Sequence, residues 1–199
     1  MKFIKSVFYK LIIMWQIIAA KRMLSNLWVL CPTAVVAGGA PRDWYFGKPA
    51  KDIDCYITDV KLEQVQNLFK MIGVKIKEVK KGENRGEYAR DNNLELVVDF
   101  RYMFLDFQLM LMQGTTVGRT IDRFPVSICK IEYDGTRVEP SYEFAVAEAA
   151  KVLLIDKRYK LDDPYIVKII KKFPDYEIME DSNINLVKLY RQHIEVINI

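Results

Sequence analysis

An α/β architecture follows from three features of this sequence. Short apolar runs of strand length, residues 33–37 and Ile53–Thr58, each end at a breaker, Gly38-Gly39 in the first case and Asp59 in the second. Two longer runs, Leu94–Tyr102 and Leu105–Met112, are joined by a turn tight enough for a hairpin. Between and after them, apolar residues recur at helical spacing. The chain has 199 residues, of which 51% are hydrophobic and 28% charged, so it is globular rather than disordered and long enough to bury a core. Its parts divide as an N-terminal helical segment (1–30), a central domain (31–140) and a short helical extension (141–199).

Taken in order, residues 3–29 are strongly apolar, and Gln16 is the single polar residue between 11 and 20. Lys2, Lys5 and Lys10 precede this run and Lys21-Arg22 follow it, so it resembles a signal or membrane segment at first sight. The uninterrupted stretch is about ten residues, half of the roughly twenty that a bilayer needs, and predicts one or two helices packed on a sheet. Interfacial association with a membrane is the alternative, and stable insertion is not expected. The strand at 33–37 then meets Gly38-Gly39, and Pro41 suits the first turn of a helix. After the Ile53–Thr58 strand, Thr58 or Asp59 caps a helix carrying Leu62, Val65, Leu68, Phe69 and Ile72, which Gly73 ends.

Residues 74–79 alternate as a half-exposed strand, and 80–93, with two glycines and no period, read as a loop in which Arg85 and Arg90 are phosphate candidates. Beyond the hairpin, Val117, Ile121 and Phe124 predict a short helix stopped at Pro125, and residues 126–135 a strand running into a turn. From Glu143 to Asp156 the pattern is helical. A polar connection at 157–163 leads to an amphipathic helix with Ile166, Val167, Ile169, Ile170 and Phe173, closed by Pro174, and 183–196 offers a last helix.

The chemistry gathers between residues 34 and 57. A strand that ends in two glycines bares its backbone, and the start of the following helix points free N–H groups at that turn, which makes an anion site. On the next strand, Asp52 and Asp54 fall on one face and Ile53 on the other. Two carboxylates side by side repel unless a cation lies between them, and hard oxygen ligands suit Mg²⁺ or Mn²⁺. A phosphate cradle beside a carboxylate pair is what phosphoryl transfer from a nucleoside triphosphate requires.

Gly38-Gly39-Ala40-Pro41-Arg42-Asp43, then Gly47, then Asp52-Ile53-Asp54 resembles the signature of the DNA polymerase beta-like nucleotidyltransferases, in the variant of the class II tRNA CCA-adding enzymes and bacterial poly(A) polymerases. The resemblance covers roughly residues 30–135. It implies a mixed, mainly antiparallel sheet with helices on one face, and a metal-dependent transfer of a nucleoside monophosphate from an NTP to an acceptor hydroxyl on RNA, a tRNA end. Gly38, Gly39 and Arg42 would bind the triphosphate, with Lys51 and Arg123 as further nucleotide-binding candidates, and Asp43 would cap or orient a neighbour. Asp52 and Asp54 would hold one Mg²⁺ and share a second with a third carboxylate. Asp99 and Asp106, each between apolar residues, both fit; Asp106 is preferred because its strand continues as clean alternation, and the other should pair with a base. Around 123–131 the chain departs from the family's Arg-Arg-Asp-Phe-Thr-Ile-Asn stretch, with Pro125 at the position of the Asp and Cys129 at that of the Asn. A helical body of the size that selects nucleotide and tRNA in that family has no counterpart here, so transfer to a protein or small molecule, or a binding module without catalysis, stay open.

The remaining composition narrows the classes. Cys31, Cys55 and Cys129 have neither disulfide parity nor zinc spacing, which fits a reducing cytoplasm. His193 is the one histidine and lies near the C-terminus, which argues against a Ser-His or Cys-His triad and leaves carboxylates to carry any catalysis. A net charge of +4, spread along the chain, permits contact with nucleic acid and favours attraction of a triphosphate.

Overall fold

The computed structural model describes residues 2–81 and 93–180, with side chains from residue 6 onward. Two compact units emerge, one of Met1–Ile121 with Glu132–Glu139, the other of Asp122–Ile131 with Pro140–Ile199.

The first unit is built on a seven-stranded sheet. Its elements are α1 (Lys2–Leu27), β1 (Val35–Ala37), α2 (Gly39–Tyr45), β2 (Ile53–Thr58), α3 (Leu62–Met71), β3 (Ile76–Lys81), β4 (Leu94–Tyr102), β5 (Leu105–Met112), α4 (Val117–Asp122), β6 (Ile131–Tyr133) and β7 (Val138–Pro140). The strands lie in the order β3-β4-β5-β2-β1-β6-β7. The β1–β2, β1–β6, β3–β4 and β4–β5 pairs are antiparallel and β2–β5 is parallel, so the sheet is mixed and mainly antiparallel.

Alternation along the strands decides which face is the core. Ile53, Cys55 and Ile57 of β2, Phe107, Leu109 and Leu111 of β5, and Leu96, Val98 and Phe100 of β4 form one cluster with Met23, Leu24 and Leu27 of α1 and Val65 and Phe69 of α3. Phe100 stacks on Phe107 with ring centroids 5.3 Å apart and leans on Phe69 at 4.7 Å. Each such side chain taken out of water contributes about 1.5–3 kcal/mol. The residues one step along, Asp54, Gln108 and Asp99, belong to the opposite face. At the sheet edge, β3 presents Lys77, Lys80 and Lys81, and cations on an edge strand discourage pairing with another chain.

α1 is one continuous helix, within the expectation for 3–29. The β4–β5 turn is two residues, Met103 and Phe104, both at positive φ (50° and 67°), the backbone that a tight hairpin demands. β3 starts two residues later than the expected strand at 74–79, and it takes in Lys80 and Lys81 from the expected loop. Residues 82–92 of that loop, with Arg85 and Arg90, lie outside the described residues. Asp59 does not cap α3. Its Oδ1 accepts from Gly114 N at 3.0 Å, and the Gln64 side chain accepts from Lys61 N in its place.

The second unit holds a 3-10 turn at Ser127–Cys129, α5 (Tyr142–Ala150), β8 (Val152–Ile155), α6 (Pro164–Lys172) and β9 (Glu177–Glu180), with β8 and β9 paired in parallel. Two expectations are corrected here. The strand expected to start at Val126 and run into a turn by 135 starts only at Ile131: Val126 to Cys129 are all buried, the Ser127 hydroxyl accepts from Leu154 N at 3.1 Å, and backbone bonds close a tight turn before the short β6. The helix expected from Glu143 to Asp156 ends at Ala150, because Lys151 turns left-handed (φ 54°, ψ 46°) and Val152–Ile155 continues as a fully buried strand. α6 agrees with the periodicity, its Asp163 cap accepting from Tyr165 N at 2.9 Å. The helix expected at 183–196 lies outside the described residues.

Candidate active site

The register of two strand pairs assembles the acids and the glycine turn. β1 runs antiparallel to β2 with Val36 opposite Cys55 and Val35 opposite Tyr56. One step further, Ala37 stands opposite Asp54, so the Gly38 turn comes to the head of β2, where Lys51 and Asp52 lead in. Gly38 has φ 78° and ψ −117°, a conformation that a side chain would strain. Gly39 is the first residue of α2. A β-carbon built on it would stand 3.9 Å from Arg42 Nη2, which places the guanidinium over the start of its own helix.

Arg42 is 3% exposed, and its Nε and Nη2 donate to Asp43 Oδ1 at 2.9 and 2.8 Å. Asp43 thereby fixes the direction of the guanidinium, since a planar fork held at two nitrogens has little freedom left. Lys51 is exposed and Asp52 half-buried, both in the bend just ahead of β2, so Asp52 precedes the strand by one residue.

On the other side of β2, the parallel pairing sets Asp54 level with Gln108 and Ile53 level with Phe107. Asp106 immediately precedes Phe107 on β5, as Asp52 immediately precedes Ile53 in the bend before β2. β4 then sets Asp99 opposite Gln108 and Arg101 opposite Asp106. Asp106 is thus on the strand that pairs directly with β2, whereas Asp99 is one strand further out. Both are paired with bases. Lys77 and Arg101 meet Asp106, the latter at 3.5 Å, while Lys80 bonds Asp99, which also accepts from Gln108 Nε2 at 2.9 Å. The Lys77 hydrogen bond holds the Asp106 carboxyl below its usual range, and the Asp99 hydrogen bond raises the Lys80 ammonium. Cys55, buried beside Asp54, is pushed well above the ordinary thiol range by burial first and by that carboxylate second, and stays protonated.

Two residues of this neighbourhood escaped the sequence reading. Gln108 had no motif to mark it. Gln16 had one signal, its isolation in an apolar run: buried on α1, it donates to Ala50 O at 2.8 Å and accepts from Trp44 Nε1 at 2.9 Å and Ala50 N at 3.0 Å. It ties α1 to α2 and to the segment that enters Asp52. Arg123 belongs to the second unit, exposed just after α4.

No protein-family model matches this chain, and no curated protein matches it by sequence. Solved structures do. Over 82% of its length the chain matches a tRNA-processing enzyme complex at TM-score 0.52 and 14% identity, covering 43% of that chain. It matches the Thermotoga maritima CCA-adding enzyme complexed with tRNA at TM-score 0.51 and 15% identity, over 82% of this chain and 38% of that one. A tRNA nucleotidyltransferase complexed with a primer tRNA and an incoming ATP analog gives TM-score 0.50 and 15% identity, over 82% and 47%. The fold is nucleotidyltransferase-like. The chain spans less than half the length of these structures.

Within this nucleotidyltransferase-like fold, the donor set can be tested against a divalent cation. Among the described residues no three carboxylate, histidine or cysteine side chains converge on one point. Mg²⁺ needs no such cage, since one or two carboxylates with substrate phosphates and water complete its shell. Asp52 and Asp54 supply two hard oxygen donors at the glycine turn, and the Asp54 Oδ1 atom is buried with no hydrogen bond reaching it. The residues fit the ion. The three cysteines, all buried, are joined by no disulfide.

Proposed function

We propose that the chain is a metal-dependent nucleotidyltransferase that moves a nucleoside monophosphate from an NTP to an acceptor hydroxyl on RNA, a tRNA end. The observation that carries this reading is the β1–β2 register, which brings the Gly38-Gly39 turn and the Asp52/Asp54 pair to the same end of two neighbouring strands. The likeness in fold to tRNA nucleotidyltransferases supports it.

In this reading Asp52 and Asp54 hold Mg²⁺ or Mn²⁺ against the triphosphate. A divalent ion bound there supplies charge neutralisation of the phosphates and a lowered pKa for the attacking hydroxyl. Gly38 and Gly39 admit phosphate oxygens close to the backbone, Arg42 offers a fixed cationic fork, and the exposed Lys51 adds positive charge ahead of β2. Asp106 is the third carboxylate, being on the strand that pairs with β2, and Asp99 positions Gln108 beside Asp54.

The test is label transfer. The purified protein and its Asp52→Ala/Asp54→Ala variant are incubated with Mg²⁺, bulk tRNA and each α-labelled NTP in turn, and label is sought on RNA and on protein. Label on tRNA that needs both aspartates supports the reading; label on protein moves the acceptor. Triphosphate binding without transfer would mean a binding module.

A further inference from the structure

α1 carries apolar residues on two opposite faces, and only one of them is buried. Ala19, Ala20, Met23, Leu24 and Leu27 are fully buried against the sheet. On the other side Val7, Phe8, Leu11, Met14, Trp15 and Ile18 are each between 38% and 60% exposed. Residues 7, 11, 14 and 18 recur at the spacing of a single helical stripe, so these side chains form one band about 16 Å long. Trp15 Nε1 donates to Met103 O at 3.2 Å, which sets the β4–β5 turn beside the band and adds Phe104, 90% exposed. Isolated exposed apolar residues need no explanation, but a contiguous band does.

The charges say what covers it. From residue 2 to 27 there is no Asp or Glu. Lys10 and Lys21, both exposed, fall along one flank of the band by helical spacing, and Arg22 follows Ile18 by one turn. A second copy of α1 laid on this face would bring cations and no carboxylate to meet them. No helix among the described residues is long and apolar enough to cross a membrane. We propose that this face docks the protein on an anionic lipid surface, with the band entering the headgroup layer and Lys10, Lys21 and Arg22 pairing with lipid phosphates. This does not depend on nucleotide transfer.

The test is co-sedimentation of the whole protein with phosphatidylcholine vesicles and with vesicles of phosphatidylcholine mixed with phosphatidylglycerol. Binding to the mixed vesicles is expected, weakening with salt. It should be lost in Leu11→Glu/Met14→Glu, whose far-UV circular dichroism stays unchanged because both positions face solvent. Lys21→Gln/Arg22→Gln should lower partitioning by roughly tenfold or more. Equal binding by the Leu11→Glu/Met14→Glu variant overturns the proposal, as does absence of binding to the mixed vesicles. A dimer in solution, or binding of tRNA, that this variant alone abolishes would give the face to a second copy or to nucleic acid.

Discussion

Asp99 and Gln108 stand directly opposite each other on β4 and β5, and the Gln108 amide donates to Asp99 Oδ1 at 2.9 Å. Across its other neighbour, Gln108 is level with Asp54. One amide side chain therefore sits between a carboxylate held by Lys80 and a carboxylate at the head of the proposed site. Gln108→Leu removes that link while keeping the volume and the strand. Transfer activity should fall about 10- to 100-fold, the range expected for a partner that orients a ligand, with little change in the urea midpoint.

The acids should separate by strand. Asp52→Asn and Asp54→Asn should each lower single-turnover label transfer by at least about 100-fold, and Asp106→Asn comparably, since these would face developing phosphate charge. Asp99→Asn should cost only about tenfold, as an indirect partner. A larger loss at Asp99 than at Asp106 would reverse their roles.

Gln16→Leu is a stability test. It would leave the Trp44 indole N–H and both Ala50 backbone groups buried without their partners, at about 1–3 kcal/mol for each group. A fall in the urea midpoint of that order, with Trp44 fluorescence shifted, is the expected outcome.

Stability should depend on pH at both the acid and the alkaline end. Asp134 is held below its usual range first by the Thr136 hydroxyl, and Asp156 first by Arg158. A carboxylate with a lowered folded pKa stabilises the protein fully above its unfolded value, near 4, and that contribution fades as pH falls through the folded value. Urea midpoints should therefore drop below about pH 4, and Asp134→Asn should differ from the parent at neutral pH but converge with it in acid. At the alkaline end the sign is reversed for Lys80, whose raised pKa gives a contribution present below about 10.4 and lost as pH climbs past its folded value.

The elements around the site were legible because each boundary has a local cause. Gly38 stops β1, Gly73 at φ 71° ends α3, and the Leu94–Tyr102 and Leu105–Met112 runs match β4 and β5. Residues 152–155 were not, because a short run of Val, Leu, Leu and Ile serves a buried strand or a helix equally, and the left-handed turn that separates them from α5 falls on Lys151 rather than on a glycine. The tight turn at Ser127 depends on a hydroxyl whose partner, Leu154 N, is remote in sequence. Which acid stands beside which is a matter of register between strands, and no local pattern encodes that.

The parallel pair within the seven-stranded sheet has a consequence in time. β2 and β5 point the same way, so α3, β3 and β4 must all be laid down between them before Asp54 meets Gln108. The β4–β5 hairpin can close by itself as soon as it is made, but the acids of β2 must wait for it. A chain still emerging from the ribosome thus carries the glycine turn and both leading aspartates well before it carries their neighbours, and the centre that would handle nucleotides is among the last parts of the unit to be born.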